Sequence, residues 1–189
     1  MKNYVYILLM SLGLLAAPSV YARNINVLFY YNGPATANTA AAPSPNVAAF
    51  KTYCNGTCGP TTTFPLYDPI LNIPIGTAYV WGNDYKFAGT SQCFTEFIQY
   101  KLPGGSIYTL GSPAATCGAF IDQSLVQPSF VHNPGSALIA GGGSGNIVAG
   151  TGIYKGLRGT YVDRVFVEFF NGSISYYDAL YFTLTITNL

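Results

Sequence analysis

The stretch IVAGTGIYKGLRGTYVDR, residues 147–164, holds the densest run of glycine and positive charge in the chain. Glycine-rich backbone beside a lysine or arginine could cradle a phosphate. A nucleotide P-loop needs Gly-Lys-Ser or Gly-Lys-Thr, whereas Lys155 is followed by Gly156 and Leu157. A dinucleotide fingerprint needs two residues before its third glycine, and GTGIYKG has three there. The spacing therefore argues against both phosphate loops and predicts a corner between strands.

Acidic side chains on otherwise apolar strand faces form a second group that could do chemistry. Glu96, Glu168 and Asp178 each have aliphatic or aromatic residues two positions away on both sides. Because strand side chains alternate between two faces, Glu96 is predicted to share a face with Tyr100, and Asp178 with Tyr176. A carboxyl group that faces an apolar interior has a raised pKa and could act as a general acid. The alternative is a structural ion pair with a nearby arginine or lysine, or a solvated position at a barrel mouth.

The four cysteines are Cys54, Cys58, Cys93 and Cys117, and they fit an oxidising compartment. We favour a Cys54–Cys58 bond, which closes the tight loop CNGTC, and a Cys93–Cys117 bond, which ties a strand to a following loop. A zinc site is the competing interpretation, but the only histidine, His132, is remote in sequence. His132 also has no serine or cysteine motif of a catalytic triad around it. We therefore predict no metal and no cofactor.

The first 22 residues have the features of a secretory signal peptide. Lys2 is followed by an apolar run, Val5–Ala17, and then by PSVYA, whose small residues suit cleavage after Ala22. The apolar run is shorter than the roughly 20 residues that a membrane-spanning helix needs. We therefore predict a secreted or periplasmic mature domain, residues 23–189, without a membrane span.

The charge of the predicted mature chain argues against anionic partners. The full chain has 8 basic and 7 acidic side chains, and loss of Lys2 with the signal peptide balances them. A neutral chain has no electrostatic reason to bind nucleic acid or an anionic membrane surface. Its 16 tyrosines, 12 phenylalanines, 21 glycines and 12 prolines favour strands joined by tight turns.

Alternation of apolar residues predicts about eight strands and little helix. In NINVLFYY, Val27, Phe29 and Tyr31 share one face. Two hairpins are predicted, CFTEFIQYKL–PGG–SIYTLGS and TYVDRVFVEFF–NGS–ISYYDALYFTLTITNL, the second turning at Asn-Gly. SALIAGGGSGNIVAG is predicted to be two short strands around a glycine turn, and residues 47–53 are predicted to hold a helical turn. Sequential hairpins in one domain favour an all-β antiparallel barrel or sandwich.

Three sequence blocks resemble the allene oxide cyclase-like and dirigent-like barrels. AGTGIYKGLRGTY is similar to their signature G-G-T-G-x-Y/F-x-x-A-R-G. LYDPILNIPIGTAYVWG is similar to their Asp-Pro turn, and CFTEFIQYKLPGGSIYTLG is similar to their central hairpin. The resemblance implies an eight-stranded antiparallel β-barrel with an apolar cavity. The cavity orients phenoxy radicals in the dirigent branch and promotes ring closure in the cyclase branch, both by fixing substrate conformation.

The chain departs from the family pattern at several positions. The first strand carries no acid, and Asn32 is the polar residue nearest to that place. Tyr67 precedes Asp68 where dirigent proteins have paired aspartates, and Lys155 replaces the earlier of two signature arginines. Arg158 matches the second arginine. The resemblance therefore carries over to Asp68 and Arg158.

These features together predict a single-domain secreted barrel that binds, and orients or cyclises, an apolar or aromatic small molecule in its cavity. The predicted ligand-binding residues are Asp68, Glu96, Tyr100, Arg158 and Asp178. Both simple binding and catalysis are consistent with these side chains. The alternative is a non-catalytic secreted protein that self-associates through aromatic outer strand faces, because both faces of TYVDRVFVEFF carry apolar groups.

Overall fold

Most of the described chain is β-strand, and the strands pair with one another in antiparallel orientation. The structure is a computed structural model, and it describes residues 25–35, 45–55, 61–88, 91–111, 116–121, 135–171 and 173–187. Its elements are β1 (Ile25–Pro34), α1 (Ala48–Cys54), β2 (Thr61–Tyr67), β3 (Pro74–Ala88), β4 (Ser91–Leu102), β5 (Gly105–Gly111), β6 (Thr116–Ile121), β7 (Ala137–Gly142), β8 (Ser144–Gly150), a 3-10 helix (Gly152–Tyr154), β9 (Gly159–Phe170) and β10 (Ser173–Ile186). The predicted signal peptide and His132 lie outside the described residues.

The ten strand segments make an eight-stranded antiparallel barrel. β5 and β6 both pair with β4, β5 along its second half and β6 along its first. β7 and β8 likewise pair with β9, in a single register. Each of these two pairs of segments therefore takes the place of one barrel strand. β10 pairs with both β9 and β1, which closes the barrel and confirms the predicted all-β fold.

The glycine-rich stretch between β7 and β8 differs from its prediction as a turn. Both segments keep one register along β9, so the chain continues in the same direction through Gly143. A Cβ on Gly141 would lie 2.4 Å from the carbonyl oxygen of Cys117, and a Cβ on Gly142 would lie 2.4 Å from that of Asp163. Neighbouring backbones therefore approach too closely for a side chain. Glycine here marks close packing between strands.

The contact between β1 and β2 is the least extensive in the described barrel wall. β1 pairs with β10 from Ile25 to Pro34, whereas β1 and β2 share a single register pair, Tyr30 with Tyr67. β2 pairs with β3 along its whole length. The wall is therefore continuous on either side of this seam and weakly joined across it.

The barrel interior is filled mainly by aromatic and aliphatic side chains. Phe29 and Tyr31 point inward from β1, as their alternation predicts. The ring centroid of Tyr100 lies 5.6 Å from that of Phe29 and 5.5 Å from that of Phe182. Further buried members of this core are Phe64, Leu66, Ile98, Ile107, Ile147, Tyr161, Val167, Tyr177, Leu180 and Leu184. Burial of this apolar area is the main stabilising contribution to the fold.

Helix α1 covers the outer face of the barrel at β3, β4 and β5. The ring centroid of Phe50 lies 5.0 Å from those of both Trp81 and Phe97. These residues form a second, smaller core outside the barrel. The helical turn predicted at residues 47–53 is therefore confirmed, and its packing explains why apolar residues occur on both faces of β4.

Two irregularities in β10 change the inward face that alternation predicts for this strand. The register with β9 shifts between Ile174 and Tyr176, and again between Tyr177 and Ala179. Each bulge adds a residue to β10, so the alternation of side chains restarts beyond it. Tyr177 is consequently buried in place of Tyr176, and Asp178 is the half-buried extra residue of the second bulge. The uninterrupted alternation expected for this strand is therefore wrong.

The predicted disulfide between Cys93 and Cys117 is confirmed. The two cysteines are register partners on β4 and β6, so the bond joins neighbouring strands. Cys54, at the end of α1, is also disulfide-bonded, and its predicted partner Cys58 lies outside the described residues. Disulfides persist in oxidising compartments, which fits an extracellular protein.

Candidate functional site

The glycine run before β9 forms a corner that docks on the β4–β5 turn. The amide of Ile153 donates to the carbonyl oxygen of Gly104 at 3.1 Å, and that of Thr151 donates to Ser106 at 2.8 Å. Gly152 has a φ of 58°, and a Cβ there would lie 1.9 Å from the carbonyl oxygen of Gly104. Glycine is required by both the backbone angle and the close approach. The run forms the structural corner that its spacing predicts.

Arg158 lies on the surface at this corner. Its guanidinium Nη1 donates to the carbonyl oxygen of Leu157 at 3.0 Å, and its own carbonyl oxygen accepts from the amide of Thr187 at 3.0 Å. The Arg158 side chain is exposed, whereas Glu96 and Tyr100 are buried. The structure thus does not place Arg158 with the predicted interior residues.

Asp68 shapes the turn that follows β2. Its Oδ1 accepts hydrogen bonds from the backbone amides of Ile70 and Leu71, each at 2.8 Å. Its carbonyl oxygen also accepts from the amide of Asn72 at 2.8 Å. Aspartate is favoured in turns for these local hydrogen bonds. The side chain of Asp68 is therefore engaged in a surface turn, away from the buried acids.

Glu96 and Tyr100 do come together, in a group of buried side chains that we call the interior polar cluster. Its members are Glu96 and Tyr100 on β4, Thr109 on β5, and Tyr161 and Asp163 on β9. The Tyr161 hydroxyl donates a hydrogen bond to Oε1 of Glu96 at 2.7 Å. Asp163 is also hydrogen-bonded to Glu96, and Tyr100 lies beside Glu96 and Thr109. Strands β4, β5 and β9 therefore bring two carboxyl groups and three hydroxyl groups to one place, although β8 lies between β5 and β9 in the barrel wall.

The carboxyl groups of Glu96 and Asp163 lie side by side in the barrel interior. A hydrogen bond between two carboxyl groups requires that one of them is protonated. Burial raises the pKa of Asp163, while the hydrogen bond with Glu96 acts in the opposite direction. Burial also raises the pKa of Tyr161 and of Tyr100, and the nearby Glu96 charge adds to the increase. Both phenols therefore remain hydroxyl donors at physiological pH.

Three polar atoms of this cluster have no hydrogen-bond partner among the described residues. They are the hydroxyl oxygen of Tyr100, Oγ1 of Thr109 and Oδ1 of Asp163. The hydroxyl groups of Tyr100 and Thr109 are close neighbours. Both residues are 0% exposed, so bulk water does not reach them. Because a buried polar group without a partner is costly, these three atoms destabilise the folded protein unless a further group bonds to them.

Glu168 is a buried acid outside this cluster. Its side chain is fully buried, and Oγ of Ser136 donates to its Oε2 at 3.3 Å. Its neighbour Val167 belongs to the barrel core, and successive strand residues point to opposite faces. Glu168 therefore faces away from the barrel interior, where the hydrogen bond from Ser136 partly satisfies it.

Sequence analysis did not identify Thr109, Tyr161 or Asp163. Tyr161 and Asp163 lie at every second position with Val165 and Val167. The strand periodicity therefore indicates that all four side chains share one face. However, apolar residues occupy both faces of TYVDRVFVEFF, and alternation alone does not show which face points inward. The register of β9 with β8 and β10 is what fixes the inward face.

A second group of side chains forms a cleft on the outer surface at the β1–β2 seam, which we call the outer tyrosine cleft. Its volume is about 620 Å³, and its lining residues are Tyr30, Asn32, Tyr67, Pro69, Asn72 and Tyr181. Asp68 belongs to the turn that carries Pro69 and Asn72. The carbonyl oxygen of Asp178 accepts a hydrogen bond from Nδ2 of Asn32. Two predicted site residues, Asp68 and Asp178, thus adjoin this cleft and not the interior polar cluster.

Comparisons with known proteins add no support to the family resemblance, which depends on the three sequence blocks alone. No family model matches the chain, and no curated protein matches it. Within the described ranges, no helix has the length and apolar character needed to cross a membrane. In the same ranges, no three histidine, cysteine, aspartate or glutamate side chains converge as metal ligands. The eight-stranded barrel is thus established by the structure, and the family remains a prediction.

Proposed function

We propose that this chain is a secreted, dirigent-like barrel that binds and orients an apolar or aromatic small molecule carrying one polar group. The polar group binds at the interior polar cluster. The observation that supports this proposal is the convergence of three buried polar atoms without partners, on Tyr100, Thr109 and Asp163. The three sequence blocks that resemble dirigent-like proteins support the same kind of ligand.

A polar group that is buried without a partner destabilises the folded protein. Each buried polar group without a partner costs about 1–3 kcal/mol. Tyr100, Thr109 and Asp163 would each incur this cost in the barrel interior. A ligand hydroxyl or carbonyl group that bonds to them removes the penalty, so the site favours molecules with such a group.

The surroundings of Tyr100 favour an aromatic or apolar ligand body. The rings of Phe29 and Phe182 have their centroids within 5.6 Å of the Tyr100 ring. Aromatic side chains bind flat apolar groups through large contact areas and preferred ring geometries. The protonated phenol of Tyr100 donates to the ligand, and the Glu96–Asp163 pair accepts from it or donates to it. These fixed directions would hold the ligand in one orientation.

A binding assay with a neutral aromatic probe tests the proposal. The probe is N-phenyl-1-naphthylamine, which has one N–H group and fluoresces more strongly in apolar sites. Tyr100→Phe should weaken binding about threefold to tenfold, because one buried hydrogen bond is lost. The matched control is Tyr108→Phe, since Tyr108 is buried under α1 on the opposite face of β5 and belongs to the outer core. Equal affinities of both variants and the unaltered protein would contradict the proposal.

Self-association is the second candidate function, and exposed apolar side chains favour it. Leu28 and Tyr181 lie on the outer faces of β1 and β10 and are each 39% exposed. Phe170 and Ile174 are exposed on either side of the β9–β10 turn. Exposed apolar groups on neighbouring strands are typical of protein–protein contacts. Light scattering at increasing protein concentration should show a homo-oligomer that Leu28→Ser dissociates, and a monomer at every concentration would exclude this function.

A further inference from the structure

The outer tyrosine cleft combines aromatic rings with amide groups on the outer surface of the barrel. Tyr30 and Tyr181 are paired across β1 and β10, and their ring centroids lie 5.0 Å apart with planes inclined at 37°. Tyr67 adds a third ring from the end of β2. We propose that this cleft is a second binding site, and that it takes the neutral sugar rings of a carbohydrate chain.

The tyrosine rings suit the apolar faces of a sugar. A pyranose ring has one face of C–H groups and a rim of hydroxyl groups. Tyrosine matches this pattern because it combines a flat apolar ring with a polar hydroxyl at its edge. Tyr181 is 39% exposed, so its ring is open to contact from outside. A sugar ring placed on Tyr30 and Tyr181 would cover this aromatic surface.

The amide groups of the cleft suit the hydroxyl rim of a sugar. Asn32 is held in place because its Nδ2 donates to the carbonyl oxygen of Asp178 and its Oδ1 accepts from the Tyr176 hydroxyl at 3.2 Å. Asn72 has a φ of 52° and is presented by the turn that Asp68 stabilises. A side-chain amide both donates and accepts hydrogen bonds, as sugar hydroxyl groups do. The Asn32 amide, which is already held, binds without a large loss of side-chain entropy.

The absence of charge in the cleft indicates a neutral sugar. None of the six lining residues carries a formal charge: they are three tyrosines, two asparagines and a proline. Burial, together with the neighbouring Tyr181, raises the pKa of Tyr30, so its phenol stays neutral. The Oδ1 of Asp68 already accepts two backbone hydrogen bonds within the turn. A sulfated or carboxylated sugar would find no cation in this lining to pair with.

The volume of the cleft and the chemistry of its lining favour a carbohydrate over a proline-rich peptide. A cleft of about 620 Å³ has room for more than one ring. A polyproline helix also packs on aromatic side chains, but its backbone offers mainly acceptor carbonyl groups. The cleft offers acceptor oxygens on both asparagines as well as donors. Ligand hydroxyl groups, which donate and accept, use both kinds of group.

Calorimetric titration with neutral hexasaccharides tests this site. The probes are cellohexaose, maltohexaose and N-acetylchitohexaose, with a nonaproline peptide as the competing ligand class. We expect at least one hexasaccharide to bind more tightly than nonaproline. Tyr181→Ala should weaken that binding about tenfold, because one ring contact is lost, and Asn72→Ala should weaken it about threefold.

Matched controls separate the cleft from its surroundings and from the interior. Ile70→Ala removes an 89% exposed side chain from the same turn as Asn72. Ile70 does not line the cleft, so this variant should not change sugar binding. Tyr100→Phe should also leave it unchanged, which keeps this result independent of the interior site. Absence of binding by all three sugars, tighter binding of nonaproline, or equal losses in Ile70→Ala and Tyr181→Ala would overturn the proposal.

Discussion

Tyrosines occur in both the interior polar cluster and the outer tyrosine cleft, but burial gives them opposite roles in the two places. Tyr100 is 0% exposed, and its hydroxyl has no partner among the described residues. Tyr181 is 39% exposed, and its ring lies beside that of Tyr30. In the interior the ring stabilises the fold while the hydroxyl group costs free energy. On the surface the hydroxyl group remains solvated and the ring is available for binding. Stability should therefore depend on the interior tyrosines, and surface recognition on the outer ones.

The largest expected difference between the two regions is in stability. Tyr161→Ala should lower the free energy of unfolding by about 3–5 kcal/mol, as large-to-small substitutions in a packed core do. Tyr181→Ala should lower it by less than about 1 kcal/mol, because the side chain is partly exposed. Urea denaturation of both variants measures the difference. Similar losses in the two variants would contradict the prediction that stability depends mainly on the interior tyrosines.

The pH dependence of stability is the next largest effect. Because burial raises the pKa of Asp163, the folded protein binds this proton more tightly than the unfolded chain does. Its stabilising contribution is complete below the unfolded pKa of about 3.9 and is lost as the pH rises through the higher folded pKa. The slope reaches at most about 1.4 kcal/mol per pH unit. Asp163→Asn should reduce the dependence of the free energy of unfolding on pH, whereas Asn72→Ala in the outer cleft should leave that dependence unchanged. Urea denaturation from pH 3 upward checks both outcomes.

A smaller effect concerns a hydroxyl group that lacks a partner. Thr109→Val replaces the buried hydroxyl group with a methyl group of similar size. The ligand-free protein should become more stable by about 1 kcal/mol, because an unsatisfied polar group is removed. The control is Ser136→Ala, which should destabilise the protein, since the Ser136 hydroxyl donates to Glu168. Thermal unfolding of both variants shows whether each change raises or lowers stability. A destabilised Thr109→Val would show that the Thr109 hydroxyl group already has a hydrogen-bond partner.

The smallest expected effect is that of Tyr181→Phe. This change keeps the ring and removes only a solvated hydroxyl group, so the free energy of unfolding should change by less than about 0.5 kcal/mol. Sugar binding should fall less than in Tyr181→Ala. A loss of binding equal to that of Tyr181→Ala would assign recognition to the hydroxyl group instead of the ring.

Sequence patterns with local causes predicted much of the fold. The Asn-Gly turn of the closing hairpin and the alternation of Phe29 and Tyr31 depend on neighbouring residues. The Cys93–Cys117 bond joins β4 to β6 over a sequence separation of 24, and its prediction rested on the small number of cysteines. The bulges in β10 have no comparable local marker, so Tyr177 was not assigned to the core. Register between strands, which depends on the whole barrel, decides such positions.

The two candidate sites depend on barrel closure, which explains why sequence analysis captured them only in part. Glu96 and Tyr100 lie on one strand and were identified by alternation, whereas Asp163 joins them from β9. Tyr30 and Tyr181 are far apart in sequence and become neighbours because β10 pairs with β1. No spacing within one strand contains that information. The chemistry of the outer tyrosine cleft could therefore be recognised only after the fold.

A crystal structure of the protein purified from a secreting host, at a resolution that shows ordered water, tests whether the interior polar cluster binds a ligand. We predict density for a small organic molecule with a polar atom about 2.6–3.2 Å from the hydroxyl oxygen of Tyr100. The same polar group should lie within reach of Oγ1 of Thr109 or Oδ1 of Asp163. A single water molecule at that place, or side chains that satisfy one another with no room for a ligand, would contradict the account.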